Sequence, residues 1–123
     1  MKRVLVVDDD DDMRELMVML LSAQYDVAAA CDGKEGLEMA RRLHPDLVVL
    51  DLLMPRMHGF EMCRHLRADA DLKAVKVLIS SSKSYQHDQT TAVEETGADG
   101  YIVKPFDIEV FKERVAALLR EVP

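Results

Sequence analysis

Four hydrophobic runs in this chain end on residues able to do chemistry, and the residue types form one set. Val4–Val7 runs into Asp8 and Asp9, and Leu47–Leu50 runs into Asp51. Val77–Ser80 is followed by Ser81, and Tyr101–Val103 by Lys104 and Pro105. If these runs are parallel strands of one open α/β sheet, their carboxyl ends share a rim. Ligands bind at such a rim, near the point where strand order reverses. Three carboxylates, a hydroxyl and an ammonium then converge in a single crevice. That set suits a divalent cation beside a phosphorylated carboxylate.

Composition narrows the classes. At 123 residues the chain is expected to form one domain, residues 1–123, with a single core. Hydrophobic residues make up 49% and charged residues 32%, the balance of a globular rather than a disordered chain. A formal net charge of −7 argues against direct nucleic-acid binding by this domain. Cys31 and Cys63 have no CxxC spacing, and His44, His58, His65 and His87 do not pair with them at ligand spacing. Free thiols in a reducing, cytoplasmic setting are expected, with a structural zinc site as the weaker rival. Met1-Lys2-Arg3 is followed by only a short apolar run before the aspartates, and nothing approaches the ~18 apolar residues of a membrane span.

Between the reactive ends the pattern alternates strand and helix about five times. Val4–Val7 is a continuous apolar run, as expected of a strand covered on both faces. Met13, Leu16, Met17, Leu20 and Leu21 then form the stripe of an amphipathic helix. Tyr25–Cys31 reads as a strand, weakened by Ala28–Ala30, and Gly33–Leu43 as a helix with Leu37, Ala40 and Leu43 on one side. His44-Pro45-Asp46 breaks that helix before Leu47–Leu50. A third helix spans Gly59–Arg67, and a polar fourth runs from His87 to Thr96, with Gly97 as its C-cap. Asp107 caps a last helix that points Ile108, Phe111, Val115, Leu118, Leu119 and Val122 inward. Short connections between such units predict an α/β, doubly wound, five-stranded parallel sheet.

The residues resemble the receiver domain of two-component response regulators across essentially the whole chain. The matching stretches are Val-Leu-Val-Val-Asp-Asp at 4–9, Leu-Val-Val-Leu-Asp-Leu-Leu-Met-Pro at 47–55, Gly59, Ser81, and Gly-Ala-Asp-Gly-Tyr-Ile-Val-Lys-Pro-Phe at 97–106. The resemblance implies a flavodoxin-like fold, strand order 2-1-3-4-5, with about five helices. It makes Asp51 the phosphoacceptor. Mg²⁺, with Mn²⁺ as a substitute, would be held by Asp8, Asp9, Asp51 and the backbone carbonyl of Leu53. Lys104 would balance one phosphoryl oxygen and Ser81 would hydrogen-bond another. The chemistry is coherent, because a carboxylate can form an acyl phosphate but needs a cation to screen two anions. Magnesium takes six oxygens and retains waters, as an acidic pair permits.

Several positions need separate readings. Asp10, Asp11 and Asp12 precede the first helix, where carboxylates cap N–H groups and suit the positive end of the dipole. Ser81 takes the family's hydroxyl position, with Ser82 as the runner-up. Tyr101 matches the family's switch aromatic; otherwise it is a half-buried tyrosine on an edge strand. Lys104-Pro105 matches a peptide bond that is usually cis in the family. His58 departs from the family's usual Asp or Asn and reads as a surface turn residue. By the same resemblance Leu53 and Lys83 flank the path of hydrolytic water and tune phosphoryl lifetime.

The function implied is Mg-dependent acceptance of a phosphoryl group on Asp51 from a histidine kinase or phosphotransfer protein. Phosphorylation would draw Ser81 and Lys104 inward and reshape the face of the fourth helix, fifth strand and last helix. That face would control an effector protein, a C-terminal output domain or a homodimer. The chain would be a phosphoprotein that modifies itself, not a turnover enzyme, and would not engage a membrane. Two other classes remain open. A phosphorylation-independent interaction module is one. A haloacid-dehalogenase-like phosphatase with Asp8 as nucleophile is the other, opposed by Asp12 in its motif and the lack of a cap domain. A flavodoxin-like electron carrier would need a hydroxyl-rich phosphate loop after the first strand, which is missing.

Overall fold

A computed structural model describes residues 1–54, 56–82 and 96–120. Its strands are β1 (Arg3–Val7), β2 (Asp26–Ala30), β3 (Leu47–Asp51), β4 (Lys76–Ser82) and β5 (Gly100–Lys104). Its helices are α1 (Asp11–Leu21), α2 (Gly33–Leu43), α3 (Gly59–Ala68) and α4 (Ile108–Leu119). The helix expected at His87–Thr96 lies outside the described residues except for Thr96, as do Lys83 and Val122.

All neighbouring strands pair in parallel, in the order β2-β1-β3-β4-β5. Chain order reverses between β1 and β3, so Asp8, Asp9 and Asp51 stand at the switch point. Alternation along the strands sorts the core into two layers. Val4, Val6, Leu47, Val49, Leu78 and Ile102 pack with Met17, Leu21, Phe111 and Val115 of α1 and α4. On the other face, Leu5, Val7, Val48, Leu50, Ile79 and Tyr101 pack with Leu37, Ala40, Met62 and Leu66 of α2 and α3. Both faces of the central strands are therefore dry, which explains their continuous apolar runs.

Three of the described helices begin on an aspartate cap within a few residues of the preceding strand. Asp10 accepts from the N–H groups of Asp12 and Met13, Asp32 from Glu35, and Asp107 from Glu109 and Val110. His44 closes α2 in the left-handed region at φ 50°, and Gly97 turns at φ 73°. The strand expected at Tyr25–Cys31 forms over Asp26–Ala30, and one helix residue departs from the sequence reading. The alanine-rich Asp26–Ala30 does form a strand, because pairing with β1 outweighs propensity. Ile108 faces solvent at 45% exposure, because the inward stripe of α4 begins with Phe111.

Candidate functional site

The reactive residues meet at the carboxyl rim. Lys104, the last residue of β5, reaches across β4 and β3. Its Nζ lies 3.0 Å from Asp8 Oδ2 and 3.4 Å from Asp51 Oδ2. Asp8 is 1% exposed and every part of it is engaged. Its Oδ1 accepts from the Asp10 N–H at 2.9 Å, and its carbonyl accepts from the Arg14 guanidinium at 2.8 Å. Asp51 Oδ1 accepts from the Leu53 N–H at 3.3 Å. One ligand oxygen from each of Asp8, Asp9 and Asp51 lies within 4.8 Å of the others, with Asp9 exposed and the other two buried. Hard oxygens gathered from two loops, open to solvent on the Asp9 side, fit a magnesium-type ion that keeps part of its water.

Charge balance at the rim is uneven. Burial pushes the Asp51 carboxyl above its ordinary range and the nearby Asp8 adds to this, while Lys104 and the Leu53 N–H pull the other way. For Lys104, burial is the largest single influence and disfavours the ammonium. The attraction of Asp51 and Asp8, with their hydrogen bonds, outweighs it and raises the pKa. The lysine is thus a fixed positive charge facing more negative charge than it can neutralise. That is the field a metal dication would relieve.

At the end of β4 three serines divide between the faces. Ser80 pairs with Asp51 across the β3–β4 ladder, and Ser82 pairs with Lys104 across β4–β5, so both belong to the face of those residues. Ser81 pairs with Val103 and alternates onto the face of Ile79 and Tyr101. Ser80 and Ser81 are fully buried, and neither hydroxyl has a hydrogen-bond partner. Tyr101 is 6% exposed on the edge strand, more deeply buried than an amphipathic edge tyrosine need be. The Lys104-Pro105 bond is cis. Leu53 is 47% exposed at the mouth of the site.

Several supports were not apparent in the sequence. Gly59 opens α3 so close to β3 that a Cβ would sit 2.6 Å from the Asp51 carbonyl oxygen and 2.7 Å from Leu52 Cα. His58, expected only as a turn residue, caps α3 by accepting from the Phe60 N–H at 3.2 Å through Nδ1. Arg14 also pairs with Asp11, so that aspartate belongs to the tether of the acidic loop. Arg56 reaches the buried Asp32 carboxylate at 3.4 Å and ties the loop after β3 to the start of α2. Arg67 of α3 donates to the carbonyls of Val75 and Gly97 and to Asp99, fastening β4 and β5 at the opposite end. Long-range partners of this kind leave no periodic signal. Both cysteines are free thiols, and Cys31 donates to Glu35 at 3.3 Å.

Comparison with known proteins agrees with this geometry. The family model described as response regulator receiver domain matches residues 4–116. This chain belongs to that family. Receiver domains serve two-component signalling, and magnesium binding and phosphorylation are typical of them. A DNA-binding dual master transcriptional regulator, RpaA of Synechocystis, is 40% identical over 98% of this chain and 50% of its own length. The DNA-binding response regulator MtrA of Mycolicibacterium smegmatis is 40% identical over 97% of this chain and 51% of its own. The chain therefore spans about half the length of these relatives. Among solved structures, the chemotaxis response regulator CheY4 of Vibrio cholerae superimposes with a TM-score of 0.88 at 31% identity, covering 97% of this chain and 99% of that one. A receiver domain of a signal transduction histidine kinase from Syntrophus aciditrophicus gives 0.87 at 30% identity, covering 97% and 90%. Among the described residues no helix is long and apolar enough to cross a membrane.

Proposed function

We propose that this receiver accepts a phosphoryl group on Asp51 from the phosphohistidine of a sensor kinase or phosphotransfer protein. An Asp51 carboxylate oxygen attacks phosphorus, the P–O bond forms, and the P–N bond breaks with its electron pair leaving on the histidine nitrogen. The observation that carries the reading is the partly buried Lys104 ammonium held between the buried carboxylates of Asp8 and Asp51. It is poised to follow negative charge from carboxylate to phosphoryl oxygen. Asp8, Asp9, Asp51 and the Leu53 carbonyl would hold Mg²⁺, with Mn²⁺ as a substitute, and the ion would neutralise charge on the transferring group. By the resemblance Ser81 would donate to a phosphoryl oxygen and Tyr101 would answer that movement, with Ser82, in register with Lys104, as the runner-up for the hydroxyl.

The signal leaves through the face of β5 and α4, where Ile108 and Val110 are exposed. A population shift there controls an output domain in a longer chain, as the lengths of the relatives suggest, a separate effector, or a homodimer. The domain works in the cytoplasm as a single receiver unit that modifies itself rather than turning over substrate. With a net charge of −7 it leaves nucleic-acid contact to other segments. Leu53 and Lys83 offer no acceptor to hold an attacking water, so the acyl phosphate decays slowly. Incubation with Mg²⁺ and acetyl phosphate tests the reading: one phosphate is expected on the protein and none on Asp51→Asn. A Leu53→Asn, Lys83→Glu double variant should lose phosphate faster. An unchanged decay would assign the lifetime to a partner phosphatase or the kinase.

A further inference from the structure

We propose that Ser80 is a second hydroxyl of the phosphoacceptor site, donating to the phosphoryl group on Asp51 from the Lys104 side of the sheet. The inference rests on the phosphoacceptor reading above and adds a residue that this reading does not use. Ser80 is 0% exposed, and its Oγ has no hydrogen-bond partner. A hydroxyl buried without a partner is unfavourable, and native folds keep few of them.

The position of Ser80 indicates what would satisfy it. Ser80 pairs with Asp51 in the β3–β4 ladder, so the two residues sit side by side on strands about 4.8 Å apart. They share a face, because Leu78, Val49 and Ile102, each two residues before Ser80, Asp51 or Lys104, pack in one cluster. Lys104 must cross β4 on this face to reach Asp51 and Asp8. The residues that β4 presents to that face at this end are Ser80 and Ser82, and Ser80 is the one level with Asp51. The hydroxyl therefore lies in the strip that the ammonium spans.

In the resting site the Asp51 oxygens are already engaged, Oδ1 by the Leu53 N–H and Oδ2 by Lys104. Phosphorylation places three strong acceptor oxygens at the same point and leaves Ser80 with a partner it lacked. Ser81 cannot take over this role, since it alternates onto the Tyr101 face. Ser80 would then hold the phosphoryl group on the same side of the sheet as Lys104.

The test compares Ser80→Ala with the unsubstituted protein, using beryllofluoride and Mg²⁺ as the phosphoryl stand-in and following saturation by fluorine NMR. The expected result is a half-saturating beryllofluoride concentration about tenfold higher for Ser80→Ala, as for the loss of one hydrogen bond to a charged group. Without metal or beryllofluoride, Ser80→Ala should melt no lower than the parent, since no bond is lost there. Ser80→Thr should bind more tightly than the equally bulky Ser80→Val, which separates the hydroxyl from packing. Equal half-saturation for Ser80→Ala and the parent, or a lower metal-free melting temperature for Ser80→Ala, would overturn the assignment. Failure of the unsubstituted protein to bind beryllofluoride at all would overturn the phosphoacceptor reading, and the Ser80 assignment with it.

Discussion

At the scale of single residues, the site trades stability for reactivity. Asp51 is buried next to another carboxylate, and its pKa is raised chiefly by burial. A carboxyl group whose folded-state pKa exceeds its unfolded value holds protons more tightly when folded. It therefore favours the fold at low pH, and that advantage is lost as pH rises through the folded pKa. Asp51→Asn, which cannot ionise, should match the metal-free parent in acid. It should become more stable than the parent, by about 1 kcal/mol, once pH exceeds the raised pKa. Urea denaturation of both proteins without metal from acid to neutral pH checks this. A variant less stable than the parent at neutral pH would mean that the Lys104 pairing outweighs the burial of charge. The identities of Asp8, Asp9, Asp51 and Lys104 were legible in the sequence because each closes a hydrophobic run. Ser80 was not, because a serine ending such a run reads as the last residue of a strand. Only the ladder shows it beside Asp51.

At the scale of elements, sequence periodicity located the strands and helices but not the contacts that aim them. The α2 boundaries, Gly33–Leu43, could be read directly, with His44-Pro45 closing one end, while the Asp32 cap at the other shows only in the structure. The closeness of α3 to β3 could not be read, because it depends on a missing side chain. Gly59 begins α3 against the backbone of Asp51 and Leu52. Alanine normally favours a helix over glycine by up to ~1 kcal/mol, so propensity alone predicts that Gly59→Ala stabilises. Its new Cβ would meet backbone atoms at 2.6 and 2.7 Å, and these cannot rotate away. Overpacking should win. Gly59→Ala should lose about 1–3 kcal/mol in urea denaturation and weaken phosphorylation, because the clash falls on the strand end that presents Asp51. An alanine variant as stable as the parent would show that α3 can back away from the site without cost.

At the scale of the whole molecule, the sheet acts as a frame that brings four loops to one rim, and the acidic site is a local weakness in that frame. Opposite charge bound at the rim should stabilise the entire fold. Mg²⁺ at about one hundred times its dissociation constant should add roughly 2.7 kcal/mol by mass action, seen as a raised melting temperature. The shift should shrink strongly in Asp9→Asn, whose carboxylate is the exposed member of the acidic group. An undiminished shift would place the metal elsewhere. Doubly wound topology was legible from alternating strand and helix patterns, and strand order from the resemblance to receiver domains. What the chain hands its signal to was not, because an output partner need leave no pattern in the receiver. On the face proposed for output, Ile108 and Val110 are exposed.

The central claim is that phosphate resides on Asp51, and borohydride reduction of the phosphorylated protein tests it most directly. Reduction converts an aspartyl phosphate to homoserine, which peptide mass spectrometry locates by residue. The account predicts homoserine at position 51, dependent on Mg²⁺ during phosphorylation and absent without the phosphodonor. Homoserine at position 8 or 9, or a stable phosphate that borohydride does not reduce, would contradict it.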